Sequence, residues 1–249
     1  MLSAGSRVWL RVQGLVSRAF VFPTYYSIEA WLRFRRYRIL DRRRIRAQFA
    51  ALVGDRRGPL LVCANHLTLI DSLIIQWALS PGWRLFVRPD WFFWNLPDKY
   101  NMSINLFVRA LGYFGKCVLV RRKGPPEEMR RALDQVAYLL GRGQSVLIFP
   151  EGGRSRVGRV DTETFMYGVG RMIQESPEAR VVCVFARGVG QRAYSNYPRA
   201  GETFVVRMKR IAPTTTTKGM RADRDLATQV VHHLRDMEQE YLENAALGR

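Results

Sequence analysis

Short apolar segments alternate with helical segments from residue 60 onward, and this alternation constrains the fold more than any other feature of the chain. The segments that read as strands are 60–64, 83–88, 116–122, 145–149, 181–186 and 204–211. Helical patterns cover 71–79, 127–140, 165–174 and 223–244. Strands that alternate with helices form parallel sheets covered on both faces. The sequence therefore predicts an α/β fold: a mostly parallel twisted sheet flanked by helices.

The first 57 residues have a different character from the rest of the chain. An amphipathic helix with interleaved arginines is predicted up to a break at Pro23, followed by an aromatic-rich helix over 25–37. Residues 33–57 then hold ten arginines and two aspartates. Basic residues next to an amphipathic helix favour binding to anionic lipid. We predict a membrane-associating segment over 1–57 and a catalytic domain over 58–249. The alternative is that the N-terminal helices pack on the domain.

The net charge is strongly positive, with 40 basic against 21 acidic residues and a formal charge of +19. Such a surface attracts polyanions: an anionic membrane, an acidic protein or nucleic acid. The sequence has no nucleic-acid-binding motif, so nucleic acid is not an expected partner. A hydrophobic content of 47% excludes global disorder. No apolar stretch approaches the roughly 20 residues that span a bilayer, and arginines interrupt any signal peptide. We predict a peripheral protein on the cytoplasmic face of the inner membrane.

The three cysteines, Cys63, Cys117 and Cys183, each lie within an apolar run. No pair has the spacing of metal ligands, and their number is odd. They are typical of small buried residues in a reducing compartment, and no metal site is predicted.

His66 is the strongest catalytic candidate among three histidines, because it follows a predicted buried strand and precedes a helix. The carboxyl ends of strands are where open α/β sheets build their sites. Asp71 follows five positions later and can reach His66 if the histidine lies in the turn and the aspartate in the first helical turn. A carboxylate on one imidazole nitrogen leaves the other free to accept a proton from a hydroxyl. The spacing alone is weak, since His233 and Glu238 show the same offset.

A second candidate segment, FPEGGRSR at 149–156, follows the strand predicted at 145–149. Gly152 and Gly153 allow a substrate to approach the backbone closely. Glu151 can accept hydrogen bonds from a polyol. Arg154 carries a guanidinium suited to phosphate. The alternative is a surface turn with solvated arginines.

Together these two segments resemble the glycerolipid acyltransferases, in particular the lysophosphatidic acid acyltransferase type, which combine N-H-x4-D with F-P-E-G-x-R-S. Two weaker blocks match in the same order, GKCVLVR at 115–121 and VCVFARG at 182–188. The family usually has Thr where this chain has Gly153, Pro where it has Cys183 and an aromatic residue where it has Val118. These departures leave the acceptor open, including the lysolipid of ornithine-lipid synthesis or a hydroxyl on a specialised lipid or pigment.

The resemblance implies a role for each matched residue. His66 would be the general base and Asp71 the residue that orients it. Glu151, Gly152, Gly153 and Arg154 would join Arg121 in binding the glycerol-phosphate end of a lysophospholipid. The donor would be acyl-CoA or acyl-acyl-carrier protein, as a co-substrate and with no further cofactor. The aromatic segment 91–95 could line the acyl channel, dip into lipid or be buried in the core.

Overall fold

A six-stranded sheet forms the centre of the molecule in the computed structural model, which describes residues 2–54, 58–121 and 124–247. Its strands are β1 (Arg38–Ile39), β2 (Leu60–Ala64), β3 (Trp94–Asn95), β4 (Ser145–Ile148), β5 (Arg180–Gly188) and β6 (Thr203–Ile211). Their order is β1-β6-β5-β2-β4-β3, and every neighbouring pair is parallel except β5 and β6. The predicted α/β fold with a mostly parallel sheet is confirmed.

Helices cover both faces of this sheet. In chain order they are α1 (Ala4–Ala19), α2 (Val21–Phe34), α3 (Arg42–Val53), α4 (Asp71–Leu79), α5 (Gly82–Val87), α6 (Lys99–Met102), α7 (Leu106–Phe114), α8 (Pro126–Gly141), α9 (Gly168–Glu175) and α10 (Met220–Ala246). The helices predicted at 71–79, 127–140 and 223–244 are confirmed. The helix predicted at 165–174 begins three residues later, at Gly168. None of the helices within the described ranges is long and apolar enough to cross a membrane.

The central strand β2 shows how the two layers of the core are divided. All five of its residues are buried. Leu60, Val62 and Ala64 join a cluster with residues of α2, α3, α4 and α5. Leu61 and Cys63 join a second cluster with residues of α8, α9 and α10. Because side chains alternate across a strand, a continuous apolar run indicates a strand covered on both faces.

The prediction of a strand at 83–88 is wrong, since helix α5 covers Gly82–Val87. Gly82 and Leu85 are buried, whereas Trp83, Phe86 and Val87 are exposed, so the short helix packs on the protein through one narrow face. A short apolar run cannot be assigned by periodicity alone. Tertiary packing decides here: a Cβ at Gly82 would lie 2.7 Å from the Tyr25 ring, so only glycine lets α2 approach α5 this closely.

The strand predicted at 116–122 is reduced to two isolated bridges, Asn95 with Cys117 and Asp98 with Val120. The prediction also extends to residue 122, which lies outside the described residues. Lys116 has φ of 55°, a left-handed conformation that interrupts a regular strand at its start. The neighbouring aromatic segment is buried: Trp91, Phe93 and Trp94 are each about 1% exposed or less. Burial in the core is therefore found for Trp91, Phe93 and Trp94, whereas Phe92 and Asn95 line a groove, and a role of the segment in an acyl channel stays a prediction.

The N-terminal helices differ from prediction at their junction. The chain breaks at Phe20 and not at Pro23, which lies in the first turn of α2, where its missing N–H costs no hydrogen bond. The second helix, predicted over 25–37, spans Val21–Phe34. Both helices contact the domain: Leu10 joins one core cluster, and Val21, Tyr25 and Leu32 join the other. The division at residue 57 stays a prediction.

The cysteines are unpaired and enclosed by apolar neighbours. Cys63 and Cys183 are buried, and Cys117 is half-buried as a residue. Burial raises the pKa of the Cys183 and Cys117 thiols to about 12 and moves that of Cys63 upward as well. All three are therefore protonated thiols at neutral pH, as expected for buried cysteines.

Candidate active site

Two loops at the carboxyl edge of the sheet carry the main candidate residues. His66 follows β2, and Glu151 follows β4, which lies next to β2 and parallel to it. Parallel strands end at the same edge, so the two loops meet. Ser155 N donates to the His66 carbonyl at 2.9 Å, and His66 N donates to Glu151 Oε1 at 2.9 Å. The sheet topology thus joins residues that are 85 positions apart.

The His66–Asp71 pair forms with the geometry that the strand-turn-helix prediction requires. His66 Nδ1 lies 3.0 Å from Asp71 Oδ2. Asp71 is the first residue of α4, where the helix dipole favours a carboxylate. The imidazole is stacked on Phe149, with ring centroids 4.1 Å apart and planes 17° from parallel. Both side chains are about nine-tenths buried, and His66 Nε2 has no hydrogen-bond partner among the described residues.

Asp71 organises the whole loop and not the histidine alone. Its Oδ2 accepts from Leu67 N at 2.6 Å and from Thr68 N at 2.7 Å, and its Oδ1 accepts from the Thr68 hydroxyl at 2.5 Å. An ionised carboxylate is an acceptor only, so four donors suit it. The hydrogen bond from His66 then places the proton on Nδ1 and leaves a lone pair on Nε2. The pair can therefore remove a proton from a hydroxyl that reaches Nε2.

Both carboxyl oxygens of Glu151 accept hydrogen bonds from backbone N–H groups. Its Oε1 accepts from His66 N and its Oε2 from Asp161 N at 3.4 Å, and the residue is 9% exposed. Burial raises the pKa of its carboxyl to about 8, although these two backbone hydrogen bonds lower it. The geometry gives Glu151 contacts that position the His66 loop, and its predicted binding of the acceptor stays a prediction.

The two glycines form the turn after Glu151. Gly152 has φ of 66°, and a Cβ there would lie 2.3 Å from Met166 Cγ, so both backbone conformation and space require glycine. Gly153 is half-buried beside it. Close approach of a substrate to the backbone at these two glycines stays a prediction.

The two predicted arginine ligands are placed differently. Arg154 Nη1 donates to Asn196 Oδ1 at 2.5 Å, and its guanidinium lies 5.0 Å from the Tyr194 ring centre. The loop that contains Tyr194 and Asn196 is joined in turn to the histidine loop, because Leu69 N donates to the Asn196 carbonyl at 3.1 Å. Arg154 is thus part of the same assembly as His66.

Arg121 follows the bridged segment at the same edge of the sheet, beyond β3. It is half-exposed and forms an ion pair with Glu128 at 3.4 Å. In the part of the chain that the structure describes, no contact joins Arg121 to the histidine loop.

Comparison with known protein families decides the class. A family model described as Acyltransferase matches residues 41–187, more than half of the 249 residues. This chain belongs to the acyltransferase family. The matched span contains all seven predicted site residues, and the enzyme class predicted from the motifs is confirmed. The acyltransferase is also similar in structure to the 1-acyl-sn-glycerophosphate acyltransferase PlsC from Thermotoga maritima. That similarity has 16% sequence identity and a TM-score of 0.49, and it covers 98% of this chain and 84% of that chain.

Several polar contacts in the acyltransferase site were not anticipated from the sequence. Asn65 binds the backbone of Ala186 twice, accepting from its N–H at 2.8 Å and donating to its carbonyl at 3.0 Å, which fixes the end of β2 against β5. The Thr68 hydroxyl reaches Asp71, and the Ser155 hydroxyl is buried with no partner in the described structure. The only feature of the sequence that points to Asn65, Thr68 and Ser155 is their position within or next to the two motifs.

Proposed function

We propose that this acyltransferase moves a fatty acyl group from a thioester, acyl-CoA or acyl-acyl-carrier protein, to a hydroxyl of a lysophospholipid such as 1-acylglycerol-3-phosphate. The observation that carries the proposal is the imidazole of His66. Its Nδ1 is bonded to Asp71 Oδ2 at 3.0 Å, and its Nε2 has no partner in the described residues. A base held in this way activates a hydroxyl without any serine or cysteine nucleophile.

The reaction that this base supports has balanced steps. Nε2 of His66 takes the proton from the acceptor hydroxyl while the hydroxyl oxygen attacks the thioester carbonyl carbon. The resulting imidazolium is stabilised by the carboxylate of Asp71. The tetrahedral intermediate then collapses, the carbon–sulfur bond breaks, and the imidazolium returns its proton to the thiolate that leaves. The products are an ester and a free thiol.

The acceptor phosphate would be held by arginine. Arg154 lies on the loop that follows β4 and is fixed by Asn196 and Tyr194, which leaves guanidinium donors for an oxygen ligand. Arg121 is half-exposed at the same edge, and its 3.4 Å pair with Glu128 is weak enough to exchange for phosphate. We assign both to the phosphate, Gly152 and Gly153 to close backbone approach, and Glu151 to positioning of the His66 loop.

An apolar groove next to the histidine loop suits the acyl chain. It has a volume of about 170 Å³ and is bounded by residues of α2, α4 and α7. Leu69 and Ser72 place one part of the groove beside Asp71, and Phe92, Leu111 and Cys117 line other parts. Apolar walls bind a hydrocarbon chain by removing its surface from water. The donor thioester can then reach His66 while its chain occupies the groove.

The exposed surface of α1 and its neighbours supports peripheral binding to an anionic membrane. α1 turns Leu10, Gln13 and Ser17 toward the protein and leaves Trp9 and Leu15 more than half exposed. Exposed rings of α2 and α5 continue the apolar surface, with Phe22 and Phe86 5.2 Å apart. Apolar side chains mixed with arginine are typical of a helix at a lipid interface. We propose that this face lies on the cytoplasmic surface of the inner membrane.

Product analysis tests the reaction. Purified protein is incubated with acyl-CoA or acyl-acyl-carrier protein and a panel of lysolipids, and products are identified by mass spectrometry. His66→Ala should lower turnover by at least about 10³-fold with an unchanged melting temperature. The matched control is His232→Ala on the exposed side of α10, which should keep wild-type activity.

The acceptor panel also separates the two acceptors that the motifs leave open. Acylated lysophosphatidic acid supports the proposal. Acylation of a lyso-ornithine lipid or a pigment alcohol, with lysophosphatidic acid inert, would retain the chemistry and overturn the acceptor. Wild-type turnover by His66→Ala would overturn the mechanism.

A further inference from the structure

A second cavity of about 330 Å³ lies on the opposite side of the edge strand from the acyl groove. It is enclosed by α1, the C-terminal end of α8, and the residues before and within β3. Gln144, which lines it, immediately precedes β4, whereas Glu151 follows β4. The cavity is therefore at the amino end of the sheet, and His66 and Glu151 are at the carboxyl end. Its lining shares no residue with the groove.

The cavity lining is positively charged. Arg11, Arg18, Arg142 and Lys116 line it, and no lining residue in the described ranges is acidic. Arg11 donates its Nε to the Tyr138 hydroxyl at 2.8 Å, which fixes the guanidinium at the wall and leaves its other donors available. Arg18 lies over the Phe86 ring at 5.7 Å. Across the described part of the chain, Arg11, Arg18 and Arg142 form no ion pair.

Lys116 places a buried amine at the inner wall of this cavity. It is 1% exposed, and its Nζ donates to the Pro89 carbonyl at 2.9 Å, the Phe92 carbonyl at 3.2 Å and Gln144 Oε1 at 3.3 Å. Three acceptors satisfy the ammonium, so it acts on a ligand through its charge and not through a direct hydrogen bond. Burial lowers the pKa of this amine to about 7, and an anion in the cavity would favour its charged form.

The remaining walls are apolar, and the cavity lies beside the proposed membrane face. Leu10, Pro89, Trp94 and Leu139 contribute hydrocarbon or aromatic surface. Leu15 also lines the cavity and is 68% exposed, so the opening adjoins the apolar side of α1. A volume of about 330 Å³ is within the range of ligand sites. Cations and apolar walls together fit an amphiphile with an anionic head.

We propose that this cavity binds the phosphate headgroup of an anionic phospholipid, at a site separate from the catalytic loops. The guanidinium groups of Arg11, Arg18 and Arg142 bind the phosphate, and the first carbons of the lipid lie against Leu15 and Trp94. Such a lipid would hold α1 against α8 at the bilayer surface. Binding is measured without turnover, so this proposal stands or falls independently of the reaction.

Calorimetric titration of the full chain with dihexanoylphosphatidylglycerol, kept below its micelle concentration, tests the site. Dihexanoylphosphatidylcholine, inorganic phosphate and coenzyme A are titrated in parallel. Gly14→Leu fills the cavity without changing its charge, because the Cβ itself would make an ordinary 3.5 Å contact with Trp94 and only the longer side chain occupies the space. Its matched control is Gly5→Leu in the same helix, where a Cβ would meet nothing within 4 Å.

A charge series complements the steric one. Arg11→Gln with Arg18→Gln removes two lining cations. The control is Arg7→Gln with Arg109→Gln, which removes two exposed cations of α1 and α7 that do not line the cavity. Melting temperatures establish that each variant is folded. We expect Gly14→Leu and the lining pair to weaken binding by about tenfold or more, and both controls to stay within about twofold of wild type.

Three results would overturn the proposal. Wild-type affinity in Gly14→Leu would place the lipid elsewhere. Inorganic phosphate binding as tightly as the phospholipid would remove the apolar half of the site and assign it to free phosphate. Loss of coenzyme A binding in Gly14→Leu, with phosphatidylglycerol binding unchanged, would assign the cavity to the donor nucleotide.

Discussion

The carboxylate of Glu151 accepts a hydrogen bond from the backbone N–H of His66 at 2.9 Å, so a residue of one motif fixes the main chain of the other. The contact crosses from the loop after β4 to the loop after β2 and is buried. This contact gives the glutamate a part in shaping the His66 loop, in addition to or in place of the acceptor binding expected from the sequence.

Substitution of Glu151 separates these two roles. In Glu151→Gln the amide oxygen can still accept from His66 N, so we expect kcat to stay within about tenfold of wild type. In Glu151→Ala the buried N–H loses its partner, and we expect kcat to fall by about 10²-fold or more, with a small change in KM for the lysolipid. Steady-state kinetics with varied acceptor measure both. Equal losses in the two variants, expressed mainly in KM, would return Glu151 to acceptor binding.

Asp71 should matter through the negative charge that it places beside His66. In Asp71→Asn the amide oxygen can take the place of Oδ2 and still accept from Leu67 N, Thr68 N and Nδ1, but the charge that stabilises the imidazolium is lost, and we expect kcat to fall by about 10³-fold or more. Thr68→Val is the matched control for loop geometry, since it removes the hydroxyl that donates to Asp71 Oδ1 and accepts from Ile70 N at 3.3 Å, and leaves the charge of Asp71 in place. It should cost about 1–3 kcal/mol of unfolding free energy and less than about tenfold in kcat. An Asp71→Asn enzyme with more than a tenth of wild-type kcat would refute the assignment.

If the groove holds the acyl chain, a substitution that fills it should change which acyl chain lengths the enzyme prefers. Leu111 lines the groove on α7, and Leu111→Trp adds bulk there without touching the histidine loop. We expect kcat/KM for long acyl donors to fall by about tenfold relative to short ones, because the larger ring displaces several methylenes at about 0.8 kcal/mol each. Competition between donors of different length measures this ratio. Leu106→Trp, on the exposed side of the same helix, should leave it unchanged.

Lys116 makes stability depend on pH in a defined direction. Burial lowers the pKa of its ammonium to about 7, although Asp90 raises it, and Arg18 lowers it further. Below about pH 7 both folded and unfolded chains bind the proton. Between about 7 and 10.5 only the unfolded chain does, so the contribution of Lys116 to stability rises with pH across that window.

Lys116→Met removes this titration while keeping a side chain of similar length. The free energy of unfolding of the variant, relative to that of wild type, should therefore be larger at pH 6 than at pH 9, by about 3 kcal/mol. Urea unfolding of both proteins at the two pH values gives the difference. Exposed Lys209→Met is the control, and its difference should not vary with pH. A difference for Lys116→Met that is equal at the two pH values would contradict the lowered pKa.

The sequence by itself determined the α/β class, the position of His66 and Asp71 at a strand end, and the acyltransferase family. These are local features: an apolar run ending in a polar loop specifies a strand and its site, and a fixed spacing brings two side chains together within one turn. Helices with clear apolar periodicity, such as α8 and α10, are determined by the same kind of local information.

Only the tertiary structure decided what depends on residues far apart in the chain. The apolar run after Pro81 forms helix α5, which packs on α2 where Gly82 meets Tyr25, and the regular strand predicted from Lys116 is interrupted by the left-handed backbone of that residue. Glu151 accepts a hydrogen bond from the backbone of His66 because the parallel strands β2 and β4 are neighbours and end at the same edge of the sheet. Apolar runs and motifs do not specify their partners. The order of strands in the sheet decides which loops meet, and that order is set by the packing of the whole chain.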